Sequence, residues 1–265
     1  MRFLHIADAH LDTSFTGRTE AVRKRLREAA RTAFRRAVDV AIREEVHALL
    51  VAGDLFDGDR LSFQTERFLL EQVARLGDND ITVIYATGNH DPGSLDRGPT
   101  RLPWPANVKV ASDATPRRFL VTDRSGASVG HVSAVGHVTS EVTDDLSRRL
   151  PRPRGDLPEV ALLHTQARPS LGASNHGPYA PSDLTYLRHA GFDYWALGHV
   201  HVRQRLCEDP PIWYPGSPQG KTHADTGERG GLLVDLSDRQ APSVAFRPLA
   251  AVRWDTVEVA RLDDV

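Results

Sequence analysis

Aspartate, asparagine and histidine residues recur directly after apolar segments of this chain. The sequence has Asp-Ala-His at 8–10, Gly-Asp at 53–54, Gly-Asn-His-Asp at 88–91, a histidine at 164 and Gly-His-Val-His at 198–201. Each of these residues, taken alone, has an ordinary alternative as a turn, cap or surface residue. Because five separate strand ends carry such residues beside glycines, the pattern as a whole favours one shared metal site.

The donor set suits two metal ions better than one, because it exceeds what a single six-coordinate ion needs. Mixed nitrogen and oxygen ligation without sulfur fits Mn²⁺, Fe, Co²⁺ or Zn²⁺ better than Ca²⁺ or Mg²⁺, and the sequence does not choose among them. Two ions about 3.5–4 Å apart promote in-line phosphoryl displacement, which predicts phosphoester hydrolysis. The donors are two carboxylates, one amide and four imidazoles: Asp8, His10, Asp54, Asn89, His164, His199 and His201.

The spacing of His199 and His201 carries a prediction of its own. On an extended segment, side chains at i and i+2 project to the same side, so both rings would enter one crevice while Val200 points into packing. The same spacing in Asp8 and His10 lets that pair approach one ion together.

The segments that must position these residues show alternating strand and helix patterns in the first third of the chain. Strands are predicted at Arg2–Ala7, Ala48–Ala52 and Ile81–Ala86, with an amphipathic helix from about Thr19 to Glu45 and another from Ser62 to about Leu76. Such alternation predicts right-handed βαβ units and a largely parallel sheet. The carboxyl ends of parallel strands form one crevice, which is where the motifs would meet.

From Asn107 onward the apolar segments become shorter and more strand-like, with one short helix capped near Ser182. Short strands with few helices predict a second sheet packed on the first. The expected fold is therefore α/β, a two-sheet β-sandwich flanked by α-helices. No domain boundary is evident inside the chain, so residues 1–265 are expected to form a single domain.

Composition limits the environment and the partners of the protein. No run approaches the roughly 18 apolar residues that span a membrane, so no membrane association is expected. Cys207 is the only cysteine, which agrees with a reducing, cytoplasmic location and excludes a thiolate zinc cluster. The net charge of −2 gives no overall attraction to polyanions.

The first predicted helix is basic, in contrast to the slightly negative net charge of the whole chain. A basic helix can contact a nucleic-acid backbone, although a solvated helix face in an arginine-rich protein is the simpler interpretation. Up to Arg36, only Glu20 and Glu28 oppose its cations, which are Arg18, Arg23, Lys24, Arg25, Arg27, Arg31, Arg35 and Arg36.

The order Asp-x-His, Gly-Asp, Gly-Asn-His-Asp, His and Gly-His-x-His resembles the calcineurin-like metallophosphoesterases over nearly the whole chain. The segments LHIADAHLD, VAGDLFDGD, LLHTQ, YAPSDL, FDYWALGHVH and YPGSPQG further resemble the nuclease subunit of the SbcCD type, in particular its YhaO-like branch. The resemblance implies the four-layer metallophosphoesterase fold, which agrees with the two-sheet sandwich inferred above.

The resemblance also implies roles for individual residues. His90 would lie beside the scissile phosphate, as a proton donor to the leaving oxygen or a stabiliser of developing charge, and Asp57 would orient it. The cofactor would be two divalent ions, with Mn²⁺ favoured and Fe, Co²⁺ or Zn²⁺ as alternatives. One ion would be held by Asp8, His10, Asp54 and His201, and the other by Asp54, Asn89, His164 and His199.

By this resemblance the activity is that of a phosphodiesterase acting on DNA in repair, as an exonuclease or endonuclease. Its partners would be DNA, an SMC-like coiled-coil ATPase and a second copy in a homodimer. Members of the family continue into a DNA-capping region, which we expect to be absent from this chain because it stops at Val265. The alternatives are a nucleotide or small-molecule phosphodiesterase or phosphatase of the same fold, and a scaffold without activity, against which the complete donor set argues.

Overall fold

Two mixed β-sheets of six strands each form the centre of the molecule and confirm the predicted α/β sandwich. The structure is a computed structural model that describes residues 1–57, 61–96, 98–170, 179–239 and 241–258. Apolar side chains of both sheets meet between them, including Phe3, Leu50, Leu162 and Tyr194. A second core lies between the first sheet and its helices, and a third covers the outer face of the second sheet.

The first sheet has a parallel core with an antiparallel edge. Its order is β14-β13-β1-β2-β3-β4. Strands β1 to β4 are parallel, β13 is antiparallel to β1, and β14 is antiparallel to β13. The strands are β1 Arg2–Ile6, β2 Ala48–Ala52, β3 Thr82–Ala86, β4 Val108–Ala111, β13 Gly230–Asp235 and β14 Ser243–Pro248.

The second sheet has four parallel strands in the middle and an antiparallel strand at each edge. Its order is β11-β12-β10-β7-β6-β5. The strands are β5 Arg117–Thr122, β6 Ser128–Ala134, β7 Glu159–His164, β10 Tyr194–Gly198, β11 Gln204–Cys207 and β12 Ile212–Tyr214. A separate two-stranded ladder, β8 Ala167–Arg168 with β9 Ser182–Asp183, lies outside it.

The chain after Asn107 builds the predicted second sheet, and it also completes the first. Strands β4, β13 and β14 join the first sheet, with β4 beside β3 and β13 beside β1. An apolar segment predicts burial of a strand but not its pairing partner. The strand pairs with whichever sheet edge is free when the chain returns to the sandwich. Leu233 accordingly packs in the helix-facing core.

Three α-helices accompany the sheets in the described part of the chain, and the first two confirm the predicted helices. They are α1 Glu20–Arg43, α2 Phe63–Gly77 and α3 Leu184–His189. The Ser62 side chain caps α2 by accepting from Thr65 N–H, whereas Asp183 caps α3, one residue after the predicted cap. None of the described helices has the length and apolar character needed to cross a bilayer.

Strand register brings the motif loops to one edge of the sandwich. In the first sheet Ile6 pairs with Val51, which pairs with Tyr85, so β1, β2 and β3 end together. In the second sheet His164 pairs with Gly198. The loops after all five strands therefore open at the same carboxyl-terminal edge.

Candidate metal centre

The loops that carry the motifs adopt unusual backbone conformations. Asp8, His10, Asp54 and His199 have φ angles of 55°, 44°, 50° and 102°, a region that residues other than glycine rarely occupy. Such conformations cost free energy and persist where surrounding contacts over-determine them, as at binding and catalytic sites. Asp8 N–H donates to Gly53 O at 3.1 Å and His10 N–H to Asp54 O at 3.0 Å, so the two loops brace each other.

The turn at His199 corrects one sequence expectation. The Gly-His-Val-His segment is not an extended strand end, because the chain turns at His199 with its positive φ. The two rings nevertheless reach one crevice, and Val200 is buried in the core as expected. Asp8 fixes this turn, since both of its carboxylate oxygens lie 3.2 Å from the backbone nitrogen of His199.

One group of donor atoms gathers around His10. Its Nε2 lies 3.1 Å from His201 Nε2 and 3.7 Å from Asp54 Oδ2, while His201 Nε2 lies 3.8 Å from Asp8 Oδ1. The side chains of Asp8, His10 and Asp54 are buried, and that of His201 is 20% exposed. These are the four residues that the family resemblance assigns to one ion.

A second group gathers around Asn89. Its Oδ1 lies 2.9 Å from His164 Nε2 and 3.2 Å from His199 Nδ1, and these two ring nitrogens are 3.2 Å apart. His164 Nε2 is also 3.4 Å from Asp54 Oδ2. The same oxygen of Asp54 therefore faces both groups, 3.7 Å from His10 and 3.4 Å from His164.

Donor chemistry shows that these atoms fit cations. Ala52 O can only accept, so His164 Nδ1 must donate to it across 2.9 Å, which leaves Nε2 of the neutral ring as an acceptor. Its neighbour Asn89 Oδ1 is an acceptor as well, and two acceptors at 2.9 Å repel unless a cation lies between them. Ligands on one ion with bonds near 2.1 Å sit roughly 3 Å apart, close to the separations found here.

The electrostatics of the crevice point the same way. Burial and the neighbouring Asp54 raise the pKa of Asp8 well above its usual range. Burial also acts to raise the pKa of Asp54, but the neighbouring His164 and His10 outweigh it and keep the pKa of that carboxyl below its usual range. Burial lowers the pKa of His10, and lowers that of His164 to about 4, which favours the neutral imidazole that a metal ion requires. Buried carboxylates beside neutral imidazoles gain most from bound cations.

Glycine and histidine residues next to the ligands allow this close packing. A side chain at Gly53, whose φ is 83°, would collide with the His164 ring, and one at Gly198 would collide with Ala52 O. His137 holds the backbone of the same residue, since its Nε2 lies 2.9 Å from His164 O, and the two rings meet edge to face with centroids 5.5 Å apart. The bond from His164 Nδ1 to Ala52 O fixes the orientation and the tautomer of the His164 ring.

Asp91 ties two of the motif loops together. Its buried carboxylate accepts from Gly88 N–H at 2.6 Å, Leu55 N–H at 2.5 Å and Asp54 N–H at 3.2 Å, and also from Tyr85 O–H. Burial and the neighbouring Asp54 raise its pKa to about 7. The carboxylate thus occupies the space behind the candidate ligands.

His90 and Asp57 form a pair at the open side of the crevice. His90 Nδ1 donates to Asp57 Oδ1 across 2.5 Å, and the His90 side chain is 43% exposed. Thr13 O–H donates to the other oxygen of Asp57 at 2.9 Å. The bond to Asp57 raises the pKa of His90 despite partial burial. The backbone N–H of His90 also donates to Asp54 Oδ1 at 2.9 Å, so the main chain that carries the ring is tied to the candidate bridging carboxylate.

All seven predicted ligands and the His90–Asp57 pair thus come together, and their roles stay predictions. His176, a candidate for lining the cleft, lies outside the described residues. Sequence reasoning missed Lys221, whose Nζ lies 3.7 Å from Asp57 Oδ2. It follows the YPGSPQG segment, and only its position directly after a segment shared with the resembled family was a usable signal.

Most of the cations of the basic helix α1 have partners. This favours the solvated-face interpretation over a DNA contact for those side chains. The pairs are Arg23 and Arg27 with Glu20, Arg31 with Asp12, Arg35 with Glu28, and Arg36 with the carbonyls of Leu249 and Ala250.

The family model for calcineurin-like phosphoesterases matches residues 1–203, which is most of the chain. The protein therefore belongs to the calcineurin-like phosphoesterase family, whose fold and metal-dependent phosphoester chemistry agree with the crevice described above.

Two curated proteins and one solved structure illustrate what the chain is similar to. The uncharacterized metallophosphoesterase YhaO of Bacillus subtilis is 32% identical over 98% of this chain and 63% of the relative, so the chain spans less than two thirds of it. The D component of nuclease SbcCD from Rhodobacter capsulatus is 27% identical, covering 100% of this chain and 74% of that protein. Among solved structures, a dimetal phosphatase from Danio rerio matches with a TM-score of 0.55 and 14% identity, over 93% and 98% of the two chains. At that identity the likeness concerns the fold alone.

Single alanine substitutions at His199 and His201 should remove different ions. His201→Ala deletes a donor from the group around His10, and His199→Ala deletes one from the group around Asn89. We expect each variant to retain about one equivalent of Mn²⁺ where the wild type retains two, and the two variants to differ in Mn²⁺ electron paramagnetic resonance. His223→Ala, an exposed histidine outside both groups, is the control and should retain both ions. Loss of both ions from either variant would refute the two-group assignment.

Proposed function

We propose that this protein is a dinuclear metal phosphodiesterase that cleaves DNA, as an exonuclease or endonuclease supported by Mn²⁺. The observation that carries the dinuclear proposal is the position of Asp54 Oδ2 between the two donor groups, 3.7 Å from His10 and 3.4 Å from His164. The preference for DNA rests on the relative named as a component of nuclease SbcCD. The nuclease specificity is thus an inference from similarity, and the metal chemistry is an inference from the donors.

In this proposal the side chains divide into those that hold ions and one that handles a proton. Asp8, His10, Asp54 and His201 would hold one ion, and Asp54, Asn89, His164 and His199 the other. Bound ions would supply positive charge for the phosphate oxygens and lower the pKa of a water molecule.

His90 would act on the leaving-group side. Asp57 accepts from Nδ1, so Nε2 of the ring is directed away from that carboxylate and can carry a proton. Since the bond to Asp57 raises the pKa of His90, the ring keeps that proton to a higher pH than an isolated histidine does. It would donate the proton to the leaving oxygen, or stabilise the charge that develops there.

The proposal extends to partners by family resemblance. It includes an SMC-like coiled-coil ATPase as partner, a homodimer, a cytoplasmic location and a single catalytic domain over residues 1–265. Co-purification with a coiled-coil ATPase, and sedimentation of the isolated chain, test the two partners separately.

A nucleotide or small-molecule phosphodiesterase is the second candidate. The pairing of most α1 arginines with carboxylates favours it, because paired cations offer little net charge to a nucleic-acid backbone.

One assay separates the two candidates. Purified protein with Mn²⁺ is offered end-labelled duplex and single-stranded DNA, a chromogenic phosphodiester and cyclic nucleotides. The DNA proposal predicts cleavage of labelled DNA that His90→Ala slows by about 10²–10⁴-fold. Good turnover of nucleotides without DNA cleavage, even with the ATPase supplied, would replace it with the second candidate. Hydrolysis of none of these substrates would refute both.

Replacing Asp57 with asparagine should move the pH profile to the acid side. The bond from Asp57 raises the pKa of His90, so the protonated ring, which the proposed step needs, is lost as pH rises through that raised value. An uncharged amide supports the imidazolium less, so the alkaline limb of kcat/KM should shift to lower pH, with less change at pH 6 than at pH 8. Glu71→Gln, on the exposed face of α2, is the control. An unshifted limb would show that His90 does not govern it.

A further inference from the structure

Lys221 reaches the open side of the metal centre from a loop far along the chain. Its Nζ lies 3.7 Å from Asp57 Oδ2, while the other oxygen of the same carboxylate accepts from His90 Nδ1 at 2.5 Å. The ammonium and the imidazole therefore flank one carboxylate. The side chains of Lys221 and Asp57 are 20% and 19% exposed, so the ammonium is partly shielded yet open to a ligand.

The contact with Asp57 leaves the donors of this ammonium largely unused. A separation of 3.7 Å is an ion pair but is too long for a hydrogen bond. Within the described ranges, no hydrogen-bond acceptor is found for Lys221 Nζ. Arg229, also near the site, differs because its guanidinium donates to the carbonyls of His201, Asp225 and Thr226.

Asp225 holds the backbone of this loop against the metal centre. Its Oδ2 accepts from Lys221 N–H and from Thr222 N–H, each at 2.9 Å. Its Oδ1 lies 4.0 Å from His201 Nδ1 and 3.7 Å from Arg229. The carboxylate that shapes the lysine loop thus also contacts a candidate metal ligand.

The two residues before Lys221 are held by hydrogen bonds to the segment from Ala251 to Trp254. The buried amide of Gln219 donates to Val252 O at 2.7 Å and accepts from Ala251 N–H at 2.8 Å. Trp254 Nε1–H donates to Gly220 O at 3.2 Å. Because both flanks are hydrogen-bonded, Lys221 starts from a fixed backbone position, and less entropy is lost when its side chain binds a ligand.

The ammonium lies beside an acidic crevice. The buried carboxylates of Asp8 and Asp54, with Asp57 beside them, would repel an incoming phosphate anion unless positive charge offsets them. A lysine is suited to this task, because its compact ammonium presents three donors to phosphate oxygens.

We propose that Lys221 is a phosphate-binding residue, whose ammonium donates to a non-bridging oxygen of the substrate phosphate on the side where His90 and Asp57 lie. The inference rests on the proposed phosphoester hydrolysis and assigns the ligand class, a phosphate ester or inorganic phosphate. Asp57 then has two tasks, orienting His90 through one oxygen and holding Lys221 ready through the other.

Inorganic phosphate is the probe that tests this role. It is titrated by calorimetry into the Mn²⁺-loaded protein as wild type, Lys221→Met and Lys221→Arg. Lys109→Met is the matched control, since Lys109 is an exposed lysine on β4 whose Nζ donates to Ala106 O. Bound Mn²⁺ and the melting temperature are measured on every variant, so that a folding or metal defect is recognised.

The expected result is a phosphate Kd about tenfold higher in Lys221→Met, which corresponds to about 1.4 kcal/mol, with two ions still bound. Lys221→Arg, which keeps the charge, should recover most of the affinity, and Lys109→Met should match the wild type. With the chromogenic phosphodiester, Lys221→Met should lower kcat/KM by a similar or larger factor.

Other outcomes separate this inference from the proposed function. A Lys221→Met variant whose phosphate Kd stays within twofold of the wild type overturns the inference, even if the wild type is an active hydrolase. A wild type that binds no phosphate overturns it as well. Phosphate binding that depends on Lys221 in a protein that hydrolyses no phosphoester would keep the inference and refute the proposed function.

Discussion

Asp54→Ala should abolish phosphoester hydrolysis, lowering kcat/KM on the order of 10³-fold or more, because one side chain serves both donor groups and His90. Its Oδ2 faces His10 and His164, and its Oδ1 accepts from His90 N–H at 2.9 Å. Removing it withdraws a ligand from each proposed ion and the negative charge between them. It also releases the backbone of the residue proposed to handle the proton.

The measurement combines activity with metal content. Hydrolysis of a chromogenic phosphodiester and bound Mn²⁺ are determined for Asp54→Ala and for Asp54→Asn, which preserves the shape and removes the charge. Both variants should lose Mn²⁺ from both positions, in contrast to the single-ion loss expected at His199 or His201. Asp39→Ala, a half-exposed aspartate that pairs with Arg75 on the helix side, is the control. Two bound ions and activity within tenfold of the wild type would refute the bridging assignment.

Asp91→Ala should give the largest loss of stability, about 3–5 kcal/mol. The buried carboxylate satisfies the backbone N–H groups of Asp54, Leu55 and Gly88 together with Tyr85 O–H. Alanine would leave those donors without an acceptor in a place that water does not reach. The two loops it joins carry Asp54 and Asn89, so the metal centre should loosen with the fold.

Denaturant unfolding of the metal-free protein measures this loss, and we expect the melting temperature to fall by roughly 10 °C. The matched control is Asp123→Ala, because Asp123 also accepts from two backbone N–H groups, those of Ser125 and Ala127, but in an exposed turn. It should change stability far less. Equal losses in the two variants would show that burial does not set the effect.

The pKa of Asp91 predicts how the stability difference between the wild type and Asp91→Ala changes with pH. The pKa of Asp91 is raised by burial and by Asp54 to about 7, above its ordinary value of 3.8. A raised pKa in the folded state means that the folded protein holds an extra proton between these values, so the stabilisation is complete at low pH and is lost as pH rises through 7. The stability gap between the wild type and Asp91→Ala should therefore be larger at pH 5 than at pH 8. A gap that widens with pH would contradict the raised pKa.

Much of the metal centre was predictable because its residues follow strands whose ends must meet. The motifs after β1, β2, β3, β7 and β10 each stand directly behind an apolar run, and the carboxyl ends of parallel strands share one edge. The partition of donors into two groups was stated only through family resemblance. Spacing along the chain does not specify which side of Asp54 His199 or His201 will face.

The sequence by itself determined the fold class, the helices α1 and α2, and the set of side chains that converge, because these depend on local periodicity and on the order of motifs. Only the tertiary structure decided that β4, β13 and β14 join the first sheet and that the chain turns at His199. It alone brought Lys221 beside Asp57 and put Asp91 behind two loops. Those contacts join segments distant along the chain, and they depend on which edges and loops are left to pair once the sandwich has formed.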